Sequence, residues 1–233
     1  MIVAIDGPAA SGKSTIAKEL ALRLGADYLD TGAIYRALTW KALQEGTDVD
    51  DAKALVELAR EANIRVTTER VPGGLAQKTF VGSEDVSEMV RLPEVDENVS
   101  HVSRFPQVRH EMVAIQRRIA GRSRDIVIEG RDIGTSVFPE AEVKVFVTAS
   151  TAERARRRRG DLANQGVEAT EAEIMEELRR RDQLDTKREA GPLRQAVDSH
   201  LIDTTNLSVE DAVVEILHMC HILRIENRPP REP

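Results

Sequence analysis

The sequence predicts an α/β fold built on a doubly wound parallel sheet. Apolar, β-prone runs at residues 2–5, 126–128 and 143–147 have the uninterrupted character of strands that are covered on both faces. Segments with helical periodicity separate and follow these runs. Alternation of strand and helix along one chain is the pattern of a parallel sheet with helices on both faces.

The first helix follows a glycine-rich loop. Ile16, Leu20 and Leu24 recur at helical spacing, and Gly25 is a natural residue to end that helix. The same criteria predict further helices over residues 33–45, 51–62, 93–103, 151–164, 171–184 and 209–223, and a longer helix after Pro106.

An insertion interrupts this alternation after the third predicted helix. Residues 64–67 and 78–81 are β-prone, and Pro72, Gly73 and Gly74 between them favour a turn. Two strands joined by a turn pair in the antiparallel sense. The sequence therefore predicts a small antiparallel sheet in addition to the parallel one.

The composition fits one globular domain and argues against several functions. With 233 residues, of which 41% are hydrophobic, the chain can bury a sizeable core. The net charge of -7 argues against general binding of nucleic acid polymers. Cys220 is the only cysteine, so no intrachain disulfide forms. No apolar stretch reaches the roughly 18 residues of a membrane span, and we expect a cytoplasmic monomer without a membrane partner.

Residues 7–14 match the phosphate-loop motif G-x-x-x-x-G-K-[ST] without a mismatch. They are Gly7, Pro8, Ala9, Ala10, Ser11, Gly12, Lys13 and Ser14. The motif lies between a predicted strand and a predicted helix, where backbone N–H groups can surround a phosphate. Lys13 would carry positive charge to the β- and γ-phosphates, and Ser14 or Thr15 would hold Mg²⁺ through a hydroxyl. The motif therefore predicts binding of a nucleoside triphosphate.

Two features favour a small kinase among the proteins that carry this loop. The chain lacks the Asn-Lys-x-Asp tetrapeptide typical of guanine-specific switch proteins. Arginines concentrate in two late predicted helices, which suits a lid that closes over a transferring phosphoryl group. Two other functions stay open. One is a kinase for a hydroxyl group of a small metabolite, with Asp132 or Glu129 as the base, and the other is a regulatory nucleotide switch.

Four further motifs follow one another in order along the chain. They are Asp30, Thr31, Gly32, Ala33, Ile34, Tyr35 and Arg36; Phe105, Pro106, Gln107, Val108 and Arg109; Gly130, Arg131, Asp132, Ile133, Gly134 and Thr135; and Arg181 and Asp182 with Arg188. Together these motifs resemble those of bacterial-type cytidylate kinases, from residue 1 to about residue 223. The resemblance implies transfer of the γ-phosphate of ATP to CMP and dCMP with Mg²⁺. It also implies a P-loop kinase core with a helical, arginine-rich lid and an enlarged monophosphate-binding domain that contains a small antiparallel sheet.

The same resemblance implies a site for the acceptor phosphate. Arg36, Arg131 and Arg188 would grip this phosphate, with Thr31 and Tyr35 among the substrate-binding residues. One guanidinium group can bind two oxygens of a phosphate at once. These arginines would therefore hold the acceptor in line with the γ-phosphate. A surface ion pair is the alternative role for each arginine.

No general base is required for this reaction, because a phosphate monoester is mostly a dianion at neutral pH. Catalysis would depend on positioning and on neutralising the charge of the transferring group. The residues expected to supply that charge are Lys13, Arg131 and Arg188. On the first lid helix Arg157 is expected to bind ATP, with Arg154 and Arg158 as further candidates and a solvated helix face as the alternative.

Other matched positions imply a base site and a ribose site. Ser100, Arg109 and Asp132 align with the residues that bind cytosine, where Asp132 would accept from the N4 amine. The alternative is an Asp132 that only pairs with a neighbouring arginine. Asp185 aligns with a ribose-binding carboxylate and Arg181 lies near it, although their spacing of four also fits an ion pair along a helix.

The chain is expected to divide into a core, an insertion and a lid. The core covers residues 1–62, 110–157 and 193–226, the monophosphate-binding insertion covers 63–109, and the lid covers 158–192. Residues 227–233 are rich in proline and charge, and we expect them to be disordered. The expected partners are the nucleotides ATP, CMP and dCMP.

Overall fold

The computed structural model describes residues 1–164 and 166–226. The strands in these ranges are β1 (Ile2–Asp6), β2 (Asp27–Asp30), β3 (Ile64–Val71), β4 (Gly74–Val81), β5 (Glu84–Asp85), β6 (Ile126–Gly130), β7 (Val143–Thr148) and β8 (His200–Asp203). The helices are α1 (Lys13–Leu24), α2 (Thr31–Gln44), α3 (Ala52–Glu61), α4 (Pro93–Val102), α5 (Pro106–Ala120), α6 (Thr151–Asn164), α7 (Glu171–Lys187) and α8 (Val209–Glu226). Residues 227–233, for which disorder is predicted, lie outside the described residues.

Five parallel strands form the central sheet in the order β2-β6-β1-β7-β8. The side chains of β1 alternate between its two faces. Ala4 packs with α2 to α5, whereas Val3 and Ile5 pack with α1 and α8. Both faces of the sheet are therefore covered by helices, which confirms the predicted doubly wound fold.

Two strands of this central sheet were not predicted from the sequence, and they form its two edges. β2 and β8 have four residues each and carry charged or polar residues at their ends. Tyr28, Leu29 and Ile202 are their buried residues. A short edge strand needs few apolar residues, so neither strand has the continuous apolar run by which the central strands are predicted.

Several element boundaries differ from the prediction. Helix α2 begins at Thr31 because the Asp30 side chain accepts from the backbone N–H of Ala33 at 3.2 Å and caps the helix. Helices α7 and α8 each continue three residues beyond their predicted ends. A π turn at Ile133–Val137, after β6, was not predicted.

The predicted insertion is a three-stranded antiparallel sheet in the order β3-β4-β5. Strands β3 and β4 extend four residues further toward the turn than predicted, because the chain reverses tightly at Gly73, whose φ is 88°. Val66 and Val81 of this sheet pack into the same core as α2 and α3. The insertion is therefore joined to the face of the central sheet that α2 to α5 cover.

Helices α6 and α7 form a hairpin with a small core of its own. Ala155, Leu162, Ile174 and Leu178 are buried in it. The predicted domain borders at 109/110 and 157/158 fall inside α5 and α6, so neighbouring regions share a helix. Among the described residues, no helix is long and apolar enough to cross a membrane.

Candidate active site

A cleft of about 430 Å³ opens at the carboxyl ends of β1 and β6. Its walls come from the loop after β1, the start of α2, the segment after β6 and the α6–α7 hairpin. The carboxyl ends of parallel strands are the usual place for a ligand in this class of sheet. All the predicted substrate-binding residues line the cleft, whereas Gly7, Pro8 and Ser11 of the predicted ATP-binding set do not.

The phosphate loop, residues 7–14, has a backbone that favours glycine at two positions. Gly7 has φ 151°, and a Cβ there would overlap the carbonyl oxygen of Val147. Gly12 has φ 90° and directly precedes α1. Positive φ and close backbone approach both favour glycine. The loop therefore keeps its N–H groups and the N-terminus of α1 close to the cleft.

Lys13 lies at the floor of this loop and is only 5% exposed. Its ammonium donates to the carbonyl oxygen of Pro8 at 2.7 Å. Burial lowers the pKa of Lys13 to about 7, with a further decrease from the charge of Arg131 and an opposing effect of Glu129. A phosphate beside this ammonium would favour its charged form.

Glu129, the fourth residue of β6, lies beneath the phosphate loop. Its carboxylate accepts from the hydroxyl of Ser14 at 2.9 Å and from the hydroxyl of Tyr28. Burial raises the pKa of Glu129, and the nearby charge of Asp30 raises it further. The carboxylate and the Ser14 hydroxyl together offer the hard oxygen ligands that suit Mg²⁺. Ser14 and Thr15 are both exposed, and of these two hydroxyls it is that of Ser14 that donates to this carboxylate.

Asp6, the last residue of β1, fastens the phosphate-loop strand to the segment after β6. Its two carboxylate oxygens accept from the backbone N–H groups of Ile133 at 2.7 Å and Gly134 at 2.8 Å. Burial raises the pKa of Asp6 to about 6, although these two hydrogen bonds oppose the shift. The segment that carries Arg131 and Asp132 is thus held directly against the strand that precedes Gly7.

Arg36 and Thr31 lie on the first turns of α2. The Arg36 guanidinium pairs with Asp30 at 2.6 Å, and the Thr31 hydroxyl donates to the carbonyl oxygen of Glu129 at 2.8 Å. Burial raises the pKa of Asp30, but the Arg36 guanidinium and the backbone N–H groups of Ala33 and Gly32 together outweigh that effect and hold the pKa below its usual value. This pair places a guanidinium in the wall of the cleft that the start of α2 forms.

A buried network of alternating charges fills the deepest part of the cleft. Asp132 forms an ion pair with Arg109 and contacts Arg188 at 3.4 Å. Asp185 contacts Arg188 at 3.5 Å and Arg131 at 2.8 Å. Burial raises the pKa of Asp185, but Arg131 and Arg188 outweigh that effect and lower it. Three guanidinium groups and two carboxylates predicted from different motifs are therefore in direct contact.

Gly191 is a site residue that the sequence analysis did not identify. Its φ is 56°, and a Cβ there would overlap Asp132 and crowd Arg109. Its carbonyl oxygen accepts from Arg188. The segment after α7 thus covers the Arg109–Asp132 pair. In the sequence, the glycine was the only indication that the backbone at this position packs closely against other groups.

The alternative ion pair between Arg181 and Asp185 is wrong for the described residues. Arg181 instead pairs with Asp96 on α4 at 3.2 Å, and Arg158 pairs with the same carboxylate at 2.6 Å. Burial raises the pKa of Asp96, but the arginine charges outweigh it and lower that pKa. Asp96 was missed because an acidic residue in the first turn of a helix has an ordinary capping role. It joins the α6–α7 hairpin to α4.

The remaining lid arginines have different surroundings. Arg157 donates to the hydroxyl of Thr204 at 3.0 Å and to its carbonyl oxygen at 2.7 Å, while the Thr204 hydroxyl donates to the carbonyl oxygen of Ser11 at 2.9 Å. Arg157 therefore lies against the phosphate loop and also lines the cleft. Arg154 is buried between Asp182 at 2.7 Å and the carbonyl oxygen of Ala9 at 3.2 Å, where it holds the hairpin to the loop.

The chain is similar to known proteins over almost its whole length. A family model described as cytidylate kinase matches residues 3–222. A cytidylate kinase of Exiguobacterium sp. is 46% identical over 214 residues, which cover 92% of this chain and 93% of that protein. One of Geobacillus kaustophilus is 48% identical over 217 residues, which cover 93% and 95%. The crystal structure of an uncharacterized protein from Eubacterium ventriosum aligns with 98% of this chain and 99% of that one, with a TM-score of 0.50 and 14% identity, a likeness of fold alone.

Proposed function

The chain belongs to the cytidylate kinase family and is therefore a nucleotide kinase that uses ATP; we propose that it phosphorylates CMP and dCMP by direct, in-line transfer with Mg²⁺. The observation that carries this proposal is the position of the charge network. Asp132, Arg109, Arg188, Asp185 and Arg131 form one contiguous cluster in the same cleft as the phosphate loop. One cleft thus offers a triphosphate site beside a site for a second anion.

On the donor side, Lys13 would bind the β- and γ-phosphates and neutralise the charge that moves during transfer. Ser14 would hold Mg²⁺ with Glu129 behind it, and the metal when bound supplies further neutralisation of the phosphate oxygens. Ser14 is favoured over Thr15 because its hydroxyl contacts Glu129. Arg157 would contact ATP from the lid side of the phosphate loop.

On the acceptor side, Arg36, Arg131 and Arg188 would bind the phosphate of the acceptor. Each lines the cleft and has a carboxylate partner that fixes its side chain. Fixed guanidinium groups lose little freedom when they bind a phosphate, and they hold its oxygens in a defined direction. Positioning of this kind supports in-line transfer without a general base, because the acceptor phosphate is already mostly a dianion.

The base site would use Asp132, Arg109 and Ser100. The Asp132 carboxylate is oriented by Arg109 and Arg188 and would accept from the N4 amine of cytosine, while Arg109 and Ser100 would donate to the ring acceptors. Asp185 and Arg181 would bind the ribose, for which Arg181 would exchange its contact with Asp96. The geometry gives less support to a hydroxyl-phosphorylating kinase, because the guanidinium groups of Arg36, Arg131 and Arg188 in the cleft suit an anionic acceptor.

The same proposal assigns roles to the regions of the chain and a location in the cell. The core would bind ATP, the insertion region would bind the monophosphate, and the α6–α7 hairpin would act as the lid. Small nucleotides would be the partners of a cytoplasmic monomer, with no nucleic acid polymer and no membrane.

Replacing Asp132 tests the base site. We expect Asp132→Asn to lower kcat/KM for CMP and to narrow the preference for CMP over UMP about 10- to 100-fold, because the amide donates where the carboxylate accepted. Steady-state kinetics with both nucleotides measure this ratio, and an unchanged KM for ATP is the control for an intact donor side. A variant that keeps the wild-type ratio of CMP to UMP would remove Asp132 from the base site.

A further inference from the structure

Strand β2 lies at one edge of the central sheet, and among the described residues no strand pairs with its outer edge. Its other edge pairs with β6 over its whole length. Alternate residues of a strand direct their backbone groups to the same edge, so the backbones of Tyr28 and Asp30 share one edge. Buried backbone groups need hydrogen-bond partners, and the free edge must find them elsewhere.

Two side chains of the insertion supply these partners. The Gln77 side chain accepts from the backbone N–H of Asp30 at 2.7 Å and donates to its carbonyl oxygen at 3.4 Å. The Thr68 hydroxyl donates to the carbonyl oxygen of Tyr28 at 2.6 Å. Thr68 and Gln77 lie directly opposite each other in the β3–β4 pair. The inserted sheet is therefore fastened to β2 by side chains in register with its free edge.

Asp30 is the point at which this contact meets the acceptor site. Its carboxylate caps α2 and pairs with Arg36 at 2.6 Å. The space is tightly filled, since a Cβ at Gly32 would lie 2.9 Å from the Asp30 carboxylate and 3.0 Å from the Arg36 guanidinium. A shift of the Asp30 backbone would therefore move or release the Arg36 guanidinium, which lines the cleft.

We propose that Gln77 is a positioning residue for the acceptor phosphate: by binding both backbone groups of Asp30, it fixes the Asp30–Arg36 pair and so the Arg36 guanidinium. Gln77 does not line the cleft and acts only through Asp30. Thr68 fastens the same insertion two residues away and does not contact Asp30. The inference rests on the proposed function, because it assigns Arg36 to the acceptor phosphate.

The test compares Gln77→Leu with Thr68→Val, two substitutions that remove side-chain hydrogen bonds and nearly keep the size of the side chain. For Gln77→Leu we expect KM for CMP to rise about 3- to 10-fold, as one or two lost hydrogen bonds imply. KM for ATP and kcat are expected to stay within about twofold. Thr68→Val is expected to lower the midpoint of urea unfolding by about as much as Gln77→Leu does. It is expected to leave KM for CMP unchanged.

Each outcome decides the inference. An unchanged KM for CMP in Gln77→Leu overturns it, and so does an equal rise in both variants, because that shows general loosening of the insertion. Where Gln77→Leu does not fold, Gln77→Asn is too short to bind both backbone groups of Asp30 and is expected to show the same rise. A wild-type protein without CMP-dependent turnover overturns the proposed function itself, and the inference with it.

Discussion

Replacing Lys13 with methionine is expected to lower kcat for phosphoryl transfer about 10²- to 10³-fold, the usual loss when one preorganised charge is removed from a transition state. Methionine fills a similar volume, so the floor of the phosphate loop stays packed. The ammonium is held by the carbonyl oxygen of Pro8 at 2.7 Å, and among the described residues no other lysine lines the cleft. The variant therefore loses charge at the transferring group without a replacement nearby.

Steady-state release of ADP measures the effect of this substitution. Lys41→Met is the matched control, because Lys41 pairs with Glu45 on the surface of α2 and lies outside the cleft. Its kcat is expected to equal that of the wild type. Retention of most of the activity by Lys13→Met would show that the phosphate loop does not supply the charge for transfer.

Replacing Arg131 with alanine is expected to lower kcat/KM for CMP about 10³-fold, at the lower end of the effect known for arginines that stabilise a transferring phosphoryl group. Arg131 directly follows β6, contacts Asp185 at 2.8 Å and is close enough to Lys13 to lower its pKa. A group in that position would face both the γ-phosphate and the acceptor phosphate of the proposed reaction. Arg131→Lys keeps the charge but loses the planar fork, so an intermediate loss is expected.

Steady-state kinetics at varied CMP concentration separate the two effects of Arg131. An effect on CMP binding changes KM, and an effect on phosphoryl transfer changes kcat. Arg60→Ala is the control, because Arg60 forms an exposed ion pair with Glu111 far from the cleft. Urea unfolding shows whether Arg131→Ala lowers the free energy of unfolding of the protein. Asp185 keeps its contact with Arg188 in this variant, so a small change is expected. An Arg131→Ala enzyme as active as Arg60→Ala would contradict the assigned role.

The features that the sequence predicted correctly are local or periodic. The phosphate loop is a run of eight adjacent residues, and β1 and β6 are buried on both faces, so each leaves a continuous pattern in the sequence. Strand β7, for which burial on both faces was also predicted, is fully buried on one face only, where Val143, Val145 and Val147 lie. The edge strands β2 and β8 leave none, because so few of their residues are buried. Local patterns thus predicted the centre of the sheet and missed its edges.

Contacts between distant residues were outside the reach of such patterns. Asp96 is 85 residues from Arg181, and Gln77 is 47 residues from Asp30. Neither spacing has a meaning until the insertion and the lid are folded against the core. Helical spacing offered Asp185 only as an alternative partner of Arg181, and in the structure the carboxylate of Asp96 on another helix pairs with Arg181.

Release of ADP from ATP and Mg²⁺, measured separately with CMP, dCMP, UMP, AMP and no acceptor, is the most direct test of the proposed reaction. Rapid turnover with CMP and dCMP and little turnover with AMP is the expected result, because the Arg109–Asp132 pair would select the cytosine base and the arginines would select its phosphate. Turnover that does not depend on any monophosphate would contradict the proposed reaction and point to a hydroxyl acceptor or a regulatory switch.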